Sequence, residues 1–203
     1  MHTQRSLRNN AGFTLIELII TVTIAAILVG LAIPSFISTI KSNRLTTYTN
    51  EFVSALNLAR SEAIKRGRQV TITREGGTTS QVWEGGWWVF IDVQDSISNP
   101  LNDFWDDGDS NFCETNSDGV PTEDCLLKVF EGLANNYRLR TGNTSYKDYA
   151  SYLPNGMKGN SGLGDTFTLC YDSAGSTESR TITINYVGRS YVTKGTVSQC
   201  PLP

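Results

Sequence analysis

The sequence predicts an α+β fold in which one long N-terminal α-helix packs against an antiparallel β-sheet domain. Three observations carry this expectation. From Leu18 to Ile40 the chain holds no charged residue, a run of about 23 residues where roughly 20 suffice for a helix to cross a bilayer. From Ser35 to Ala63 apolar positions recur every three to five residues and trace one helical face. Beyond Gly67 come short alternating or β-branched stretches separated by turn residues.

The helix is justified residue by residue. Ile37, Ile40, Leu45, Tyr48, Phe52, Leu56, Ala59 and Ala63 lie on one face, while Thr39, Asn43, Asn50, Asn57 and Arg60 fill the others. Gly67 is a natural stop, and Lys65 and Arg66 just before it suit the negative helix end. The helix therefore runs from about residue 14 to 66, roughly 80 Å at 1.5 Å per residue. Its first half is apolar all round and its second half amphipathic, a stalk followed by a spine for a sheet.

Strand signals follow. "QVTITRE" (69–75) alternates, "GWWVFIDV" (86–93) is aromatic and β-branched, and "CLLKVFEG" (125–132) reads as a strand or a helical turn. "NYRLRT" (136–141), "FTLCYD" (167–172), "RTITINYV" (180–187) and "SYVTKG" after Gly188 complete the series. Such strands, joined by turns, predict an antiparallel meander curved over the amphipathic half of the helix. Two long linkers remain, 94–124 and 142–165. Trp83, Trp87, Trp88, Phe90, Phe104 and Trp105 read mainly as core or loop anchors.

Composition limits the chemistry. His2 is the only histidine and lies at the extreme N-terminus, so the rest of the chain has no imidazole for a triad, a general base or a metal. Cys113, Cys125, Cys170 and Cys200 lack the close spacings of zinc sites and read as disulfides of an exported domain. Four cysteines allow three pairings, of which the sequence-local one joins Cys113 to Cys125 and Cys170 to Cys200. No carboxylate pair stands in a recognisable catalytic setting, so the chain reads as a non-enzyme with no cofactor. Asp107, Asp109, Asn111 and Asp118 imitate the spacing of a calcium loop, but Phe112 stands where its glycine belongs; a solvated acidic loop is the default. Charge is uneven. Residues 41–74 hold seven Lys or Arg against two acids, and residues 75–127 hold twelve acids and no base.

The start of the apolar run decides between three readings. A secretory signal peptide would need small residues at a cleavage site after the run, and "GLAIPSF" supplies a poor one. A plain membrane anchor gives no reason for Glu17. A cut between Gly12 and Phe13 keeps the apolar segment in the mature protein and makes Glu17 its fifth residue. "GFTLIEL" at 12–18 resembles the class III leader of type IV pilins and pseudopilins without a departure. The resemblance implies a prepilin peptidase that cleaves after Gly12 and methylates the new amine of Phe13. It also implies that the helix waits in the inner membrane and then enters a filament core, where Glu17 meets the N-terminal amine of a neighbouring subunit. Pro34 falls at mature position 22, where these pilins commonly carry a proline. The chain then divides into a cleaved leader (1–12), a transmembrane or filament-core helix half (13–40) and a periplasmic or extracellular domain (41–203). Removing the leader takes two of the 17 basic side chains and none of the 20 acidic ones, leaving a net charge of −5.

The order "GWWVFID", acidic loop, "FTLCYDSAG", "ITINYVGRS" resembles the GspH/FimT group of minor pilins. This implies a structural subunit that primes or caps a pilus at or near its tip, with other pilins and the assembly machinery as partners. Some members of the group serve type II secretion, and some FimT-like members bind DNA for uptake in natural transformation. The DNA-binding members carry "GRxR"; here Gly188-Arg189-Ser190-Tyr191 lacks the second arginine. Lys194 and Arg180 could restore charge, and Tyr191 could stack on a base. The basic cluster Arg60, Lys65, Arg66, Arg68 and Arg74 reads mainly as a subunit contact or a solvated helix end.

Overall fold

The computed structural model describes residues 12–75, 81–93, 113, 115–119, 121–122, 124–141, 148–159, 166–172, 177–197 and 200. Helix α1 spans Leu15–Arg66. The chain divides into two compact units, 1–41 and 42–203, each described by itself.

In the first unit the helix begins at a cap written in the sequence. Thr14 Oγ1 accepts a hydrogen bond from the Glu17 backbone N–H at 3.3 Å, and Leu18 N–H bonds the Thr14 carbonyl. Thr14 to Glu17 is thus the Thr-x-x-Glu pattern that starts helices. Among the described side chains of this helix half, residues 15–40, those on every side are exposed and Ala32 alone is half-buried; its composition and length suffice to cross a membrane. The helix continues through Pro34, whose missing N–H leaves the Gly30 carbonyl without its usual intrahelical donor.

In the second unit eight strands are seen among the described residues: β1 (Val70–Arg74), β2 (Gly86–Ile91), β3 (Cys125–Glu131), β4 (Tyr137–Thr141), β5 (Tyr149–Tyr152), β6 (Thr166–Tyr171), β7 (Thr177–Ile184) and β8 (Ser190–Val197). They form two antiparallel four-stranded sheets, in the orders β3-β2-β1-β5 and β4-β6-β7-β8. The single meander expected from alternation is corrected here. β5 lies inside the linker 142–165 and returns to pair with β1, and β4 pairs with β6 instead of β3. "YASY" is four residues long, too short for alternation to mark it. The segment 125–131 is a strand, not a helical turn.

The core lies between the helix and both sheets. Leu45, Phe52, Ala55, Leu56, Ala59 and Ala63 are buried along one face, and the three alanines let the sheets approach the helix closely. Phe52 makes ring contacts with Trp83 at 5.7 Å, Trp87 of β2 at 5.0 Å and Phe167 of β6 at 4.7 Å. One helical side chain therefore joins the two sheets. A second link is polar: Arg140 of β4 donates to Glu84, next to β2, at 2.8 Å, and Arg138 lies on the other side of the same carboxylate. Burial pushes the Glu84 carboxyl above its usual range despite the two guanidiniums, and burial likewise lowers Arg140.

Cys113 is bonded to Cys125 at the start of β3, and Cys170 of β6 to Cys200, with Cα–Cα distances of 4.4 and 5.9 Å. The second bridge closes a 30-residue span that contains β7 and β8. Cys170→Ala with Cys200→Ala should lower stability by about 3–4 kcal/mol on the loop-entropy estimate. Denaturant unfolding followed by tryptophan fluorescence checks this; an unchanged midpoint would show that the bridge does not constrain the unfolded chain.

Candidate functional site

Two places answer to the residues singled out in the sequence. The first is the N-terminal motif. Gly12, Phe13 and Thr14 lie outside the helix and are exposed, Phe13 by 83%. A Cβ built on Gly12 meets nothing within 4 Å, so this fold does not itself require glycine there. Glu17 is exposed in the first helical turn, where a carboxylate favours the positive helix end. Its backbone N–H bonds the Thr14 cap, in a Thr-x-x-Glu pattern that is legible in the sequence.

The second place is the turn between β7 and β8. Asn185 N–H bonds the Arg189 carbonyl at 2.9 Å, Gly188 N–H bonds the Asn185 carbonyl at 2.9 Å, and Asn185 Oδ1 accepts from Arg189 N–H at 2.8 Å. Gly188 has φ +79°, and a Cβ on it would sit 2.1 Å from the Gly156 carbonyl oxygen. Both the turn geometry and this close approach require glycine. Arg60 of α1 holds the two turns together, donating from Nε to the Gly156 carbonyl at 2.9 Å and from Nη2 to the Val187 carbonyl at 3.2 Å. In the sequence Arg60 reads as one of a basic surface cluster; in the fold it is a clamp.

The four residues considered for DNA are not gathered into one patch. Arg189 is exposed in the turn, and Tyr191 and Lys194 are exposed on β8. Opposed residues of an antiparallel pair share a face, so Lys194, opposite Arg180, lies on the core face, and Tyr191, opposite Thr183, on the other. Arg189 and Lys194 are five residues apart, about 17 Å along a strand. Arg180 is a correction: it is 2% exposed and does not add surface charge. Its guanidinium pairs with Glu178 at 2.8 Å and bonds the Ser179 carbonyl and Ser42 Oγ. Burial raises the Glu178 pKa, but hydrogen bonds from Arg180 and Ser42 outweigh it and hold the carboxyl below its usual range.

The remaining basic cluster is also largely occupied. Lys65 and Arg66 pair with Glu62, whose pKa is lowered first by the Arg66 hydrogen bond, and Arg74 pairs with Asp148. Arg66 and Arg68 line a cavity of about 420 Å³ with Ile91, Cys113, Thr115, Gly119 and Pro121. Phe104, Trp105 and the calcium-like positions 107, 109, 111 and 112 lie outside the described residues; Asp118 is exposed in a turn.

An apolar, exposed N-terminal helix continued by an amphipathic half under antiparallel sheets defines a pilin-like subunit. The chain belongs to the GspH family, described as type II transport protein GspH, whose model matches residues 48–188. Residues 7–33 match the prokaryotic N-terminal methylation motif. Two crystal structures of the Pseudomonas aeruginosa type IV minor pilin FimU share the fold at 17% sequence identity. One has a TM-score of 0.52 and covers 79% of this chain and 98% of that one; the other has a TM-score of 0.50 and covers 77% and 100%. Comparison with curated proteins gives no match. The protein therefore has the type IV pilin fold and belongs to a family of structural pilin and pseudopilin subunits that assemble with other pilins.

Proposed function

We propose that this protein is a minor type IV pilin that primes or caps pilus assembly at or near the tip. The observation that carries the reading is the exposed Gly12–Phe13 junction set before a helix that is apolar and exposed on every side. Such a helix needs lipid or other helices around it, and the leader motif supplies both in turn. The subunit is held in the inner membrane by residues 13–40, with domain 41–203 on the periplasmic side, and passes into the pilus after a prepilin peptidase cleaves at Gly12. Intact mass of the mature protein should show a start at Phe13 with one added methyl group. A start after residue 34 would mean an ordinary signal peptide and would end this reading. Deleting the gene and scoring piliation, DNA uptake and type II secretion in the same strain separates the tip role from the two related ones; loss of piliation is expected.

A second reading, a DNA receptor for natural transformation, is favoured by Arg189 and Tyr191, both exposed at the β7–β8 turn. On that reading duplex DNA binds weakly, without sequence preference, and less as salt rises, because a few cations contact phosphates and nothing reads base edges. Arg189→Glu should then weaken binding several-fold in shift assays at low salt, and Lys128→Glu, at an exposed position of β3, should not. Binding indifferent to Arg189 would remove this reading.

A further inference from the structure

The two sheets have four edges, and the described residues treat one of them differently. β3 carries a register shift against β2 between Val89 and Phe90, and exposes Lys128 and Glu131. β4 is covered by a bridge from Val82 to Arg140, and β5 by the Tyr152–Lys158 bridge with the Gly159 N–H bonded to the Ser151 carbonyl. These are the usual means of closing an edge to foreign strands. β8 pairs with β7 over eight residues, and among the described residues no strand or bridge lies on its other side.

The hydrogen-bond phase of that edge follows from the turn. Asn185 N–H bonds the Arg189 carbonyl, and the register then pairs Ile184 with Ser190 and Thr183 with Tyr191. Hydrogen-bonded and non-hydrogen-bonded pairs alternate in an antiparallel ladder. Tyr191, Thr193 and Gly195 therefore turn their backbone groups to β7, while Ser190, Val192 and Lys194 turn theirs outward. Side chains mark the same place. Among the described residues outside the apolar N-terminal run, the exposed large hydrophobic ones are Ile64, Val129, Tyr186, Val187, Tyr191 and Val192. Four of these six are in this turn and strand, exposed by 70, 49, 51 and 41% in chain order.

We propose that β8 is a docking edge to which an extended strand of another pilin-like subunit adds, its apolar residues alternating with carboxylates. This rests on the minor-pilin reading. The charge is complementary in one sense only: Arg189 stands just before β8 and Lys194 within it, and β8 itself contains no acid. A second β8 supplies no answering carboxylate, so self-pairing is disfavoured. Lys194 thus guards the edge against neutral strands and selects an acidic one. Duplex DNA fits less well, because the outward groups here are a row of backbone donors and acceptors and the two cations stand far apart.

Val192→Pro removes an outward N–H and leaves every charge and the β7 ladder in place; Val192→Ala controls for the side chain. Both are made in the full-length protein in its own cells, together with a photoreactive residue at position 191 and, separately, at 129 on β3. The crosslink from position 191 should join another protein with a cleaved prepilin leader, identified by mass spectrometry, and that from 129 should not. Val192→Pro should reduce both the crosslink and the amount recovered in sheared filaments at least tenfold, and Val192→Ala less than twofold. If Val192→Pro does not accumulate, the crosslink contrast between 191 and 129 decides alone. Equal crosslinks at 191 and 129, or normal incorporation of Val192→Pro, would overturn the docking edge and leave the pilin reading standing. Loss of DNA uptake with Arg189→Glu but not with Val192→Pro would assign the turn to DNA instead. Absence of the unaltered protein from filaments would overturn the pilin reading and this one with it.

Discussion

Phe52→Ala is expected to lower the stability of the 42–203 unit by about 3–5 kcal/mol, the usual range for deleting a fully buried phenylalanine side chain. The upper half of that range is favoured by geometry. Phe52 is 1% exposed and touches Trp83, Trp87 and Phe167, which come from both sheets. Large rigid rings on all sides do not collapse easily into the space left behind, so the cavity term persists alongside the lost transfer energy. Edge-to-face ring contacts are lost as well. Denaturant titration of the detergent-solubilised chain, followed by tryptophan fluorescence, reads the change directly. A loss below about 1 kcal/mol would mean that the surrounding core closes over the space and that Phe52 is not the side chain that joins the two sheets.

Glu17→Ala is expected to leave that unit equally stable, because every residue of its core lies at or beyond Leu45. Recovery in filaments should nevertheless fall more than tenfold. On the proposed reading Glu17 pairs with the N-terminal amine of a neighbouring subunit; leaving one member of a buried charge pair alone costs about 3–5 kcal/mol, and each 1.4 kcal/mol is tenfold in an equilibrium. The structure supplies a competing account, since Glu17 holds the last place of a Thr-x-x-Glu pattern whose Thr14 accepts from the Glu17 backbone N–H at the helix start. Glu17→Gln separates the two. Glutamine keeps the capping pattern and loses the charge, so it should fail like alanine if the partner is an amine. Near-normal recovery with glutamine would make Glu17 a helix-starting residue, and the ion-pair role would be withdrawn.

What the chain says locally was readable, and what depends on distant partners was not. Gly12, Phe13 and Glu17 belong to one unbroken stretch, 12–18, and the C-terminal bound of α1 follows from Gly67 and a long periodic face, all short-range features. β2 and β6 announce themselves through aromatic and β-branched runs. β5 is a strand because β1 offers it a free edge, and a four-residue segment carries too little pattern to show that alone. Arg60 and Arg180 look alike in sequence, as cations among polar neighbours. Only the fold brings Arg60 to the Gly156 and Val187 carbonyls, and Arg180 under the helix to Glu178 and Ser42.

A pilin-type leader, one helix changing from apolar to amphipathic, and a strand-rich domain with four cysteines and no imidazole beyond the leader are all legible without coordinates. Those properties are written in composition, period and adjacent residues. Only folding divides the strands into two sheets joined through Phe52, buries Arg180, and leaves β8 with no strand or bridge on its outer side among the described residues. Each of these depends on which strand finds which partner, and pairing energy is set by residues tens of positions apart whose encounter no local pattern encodes.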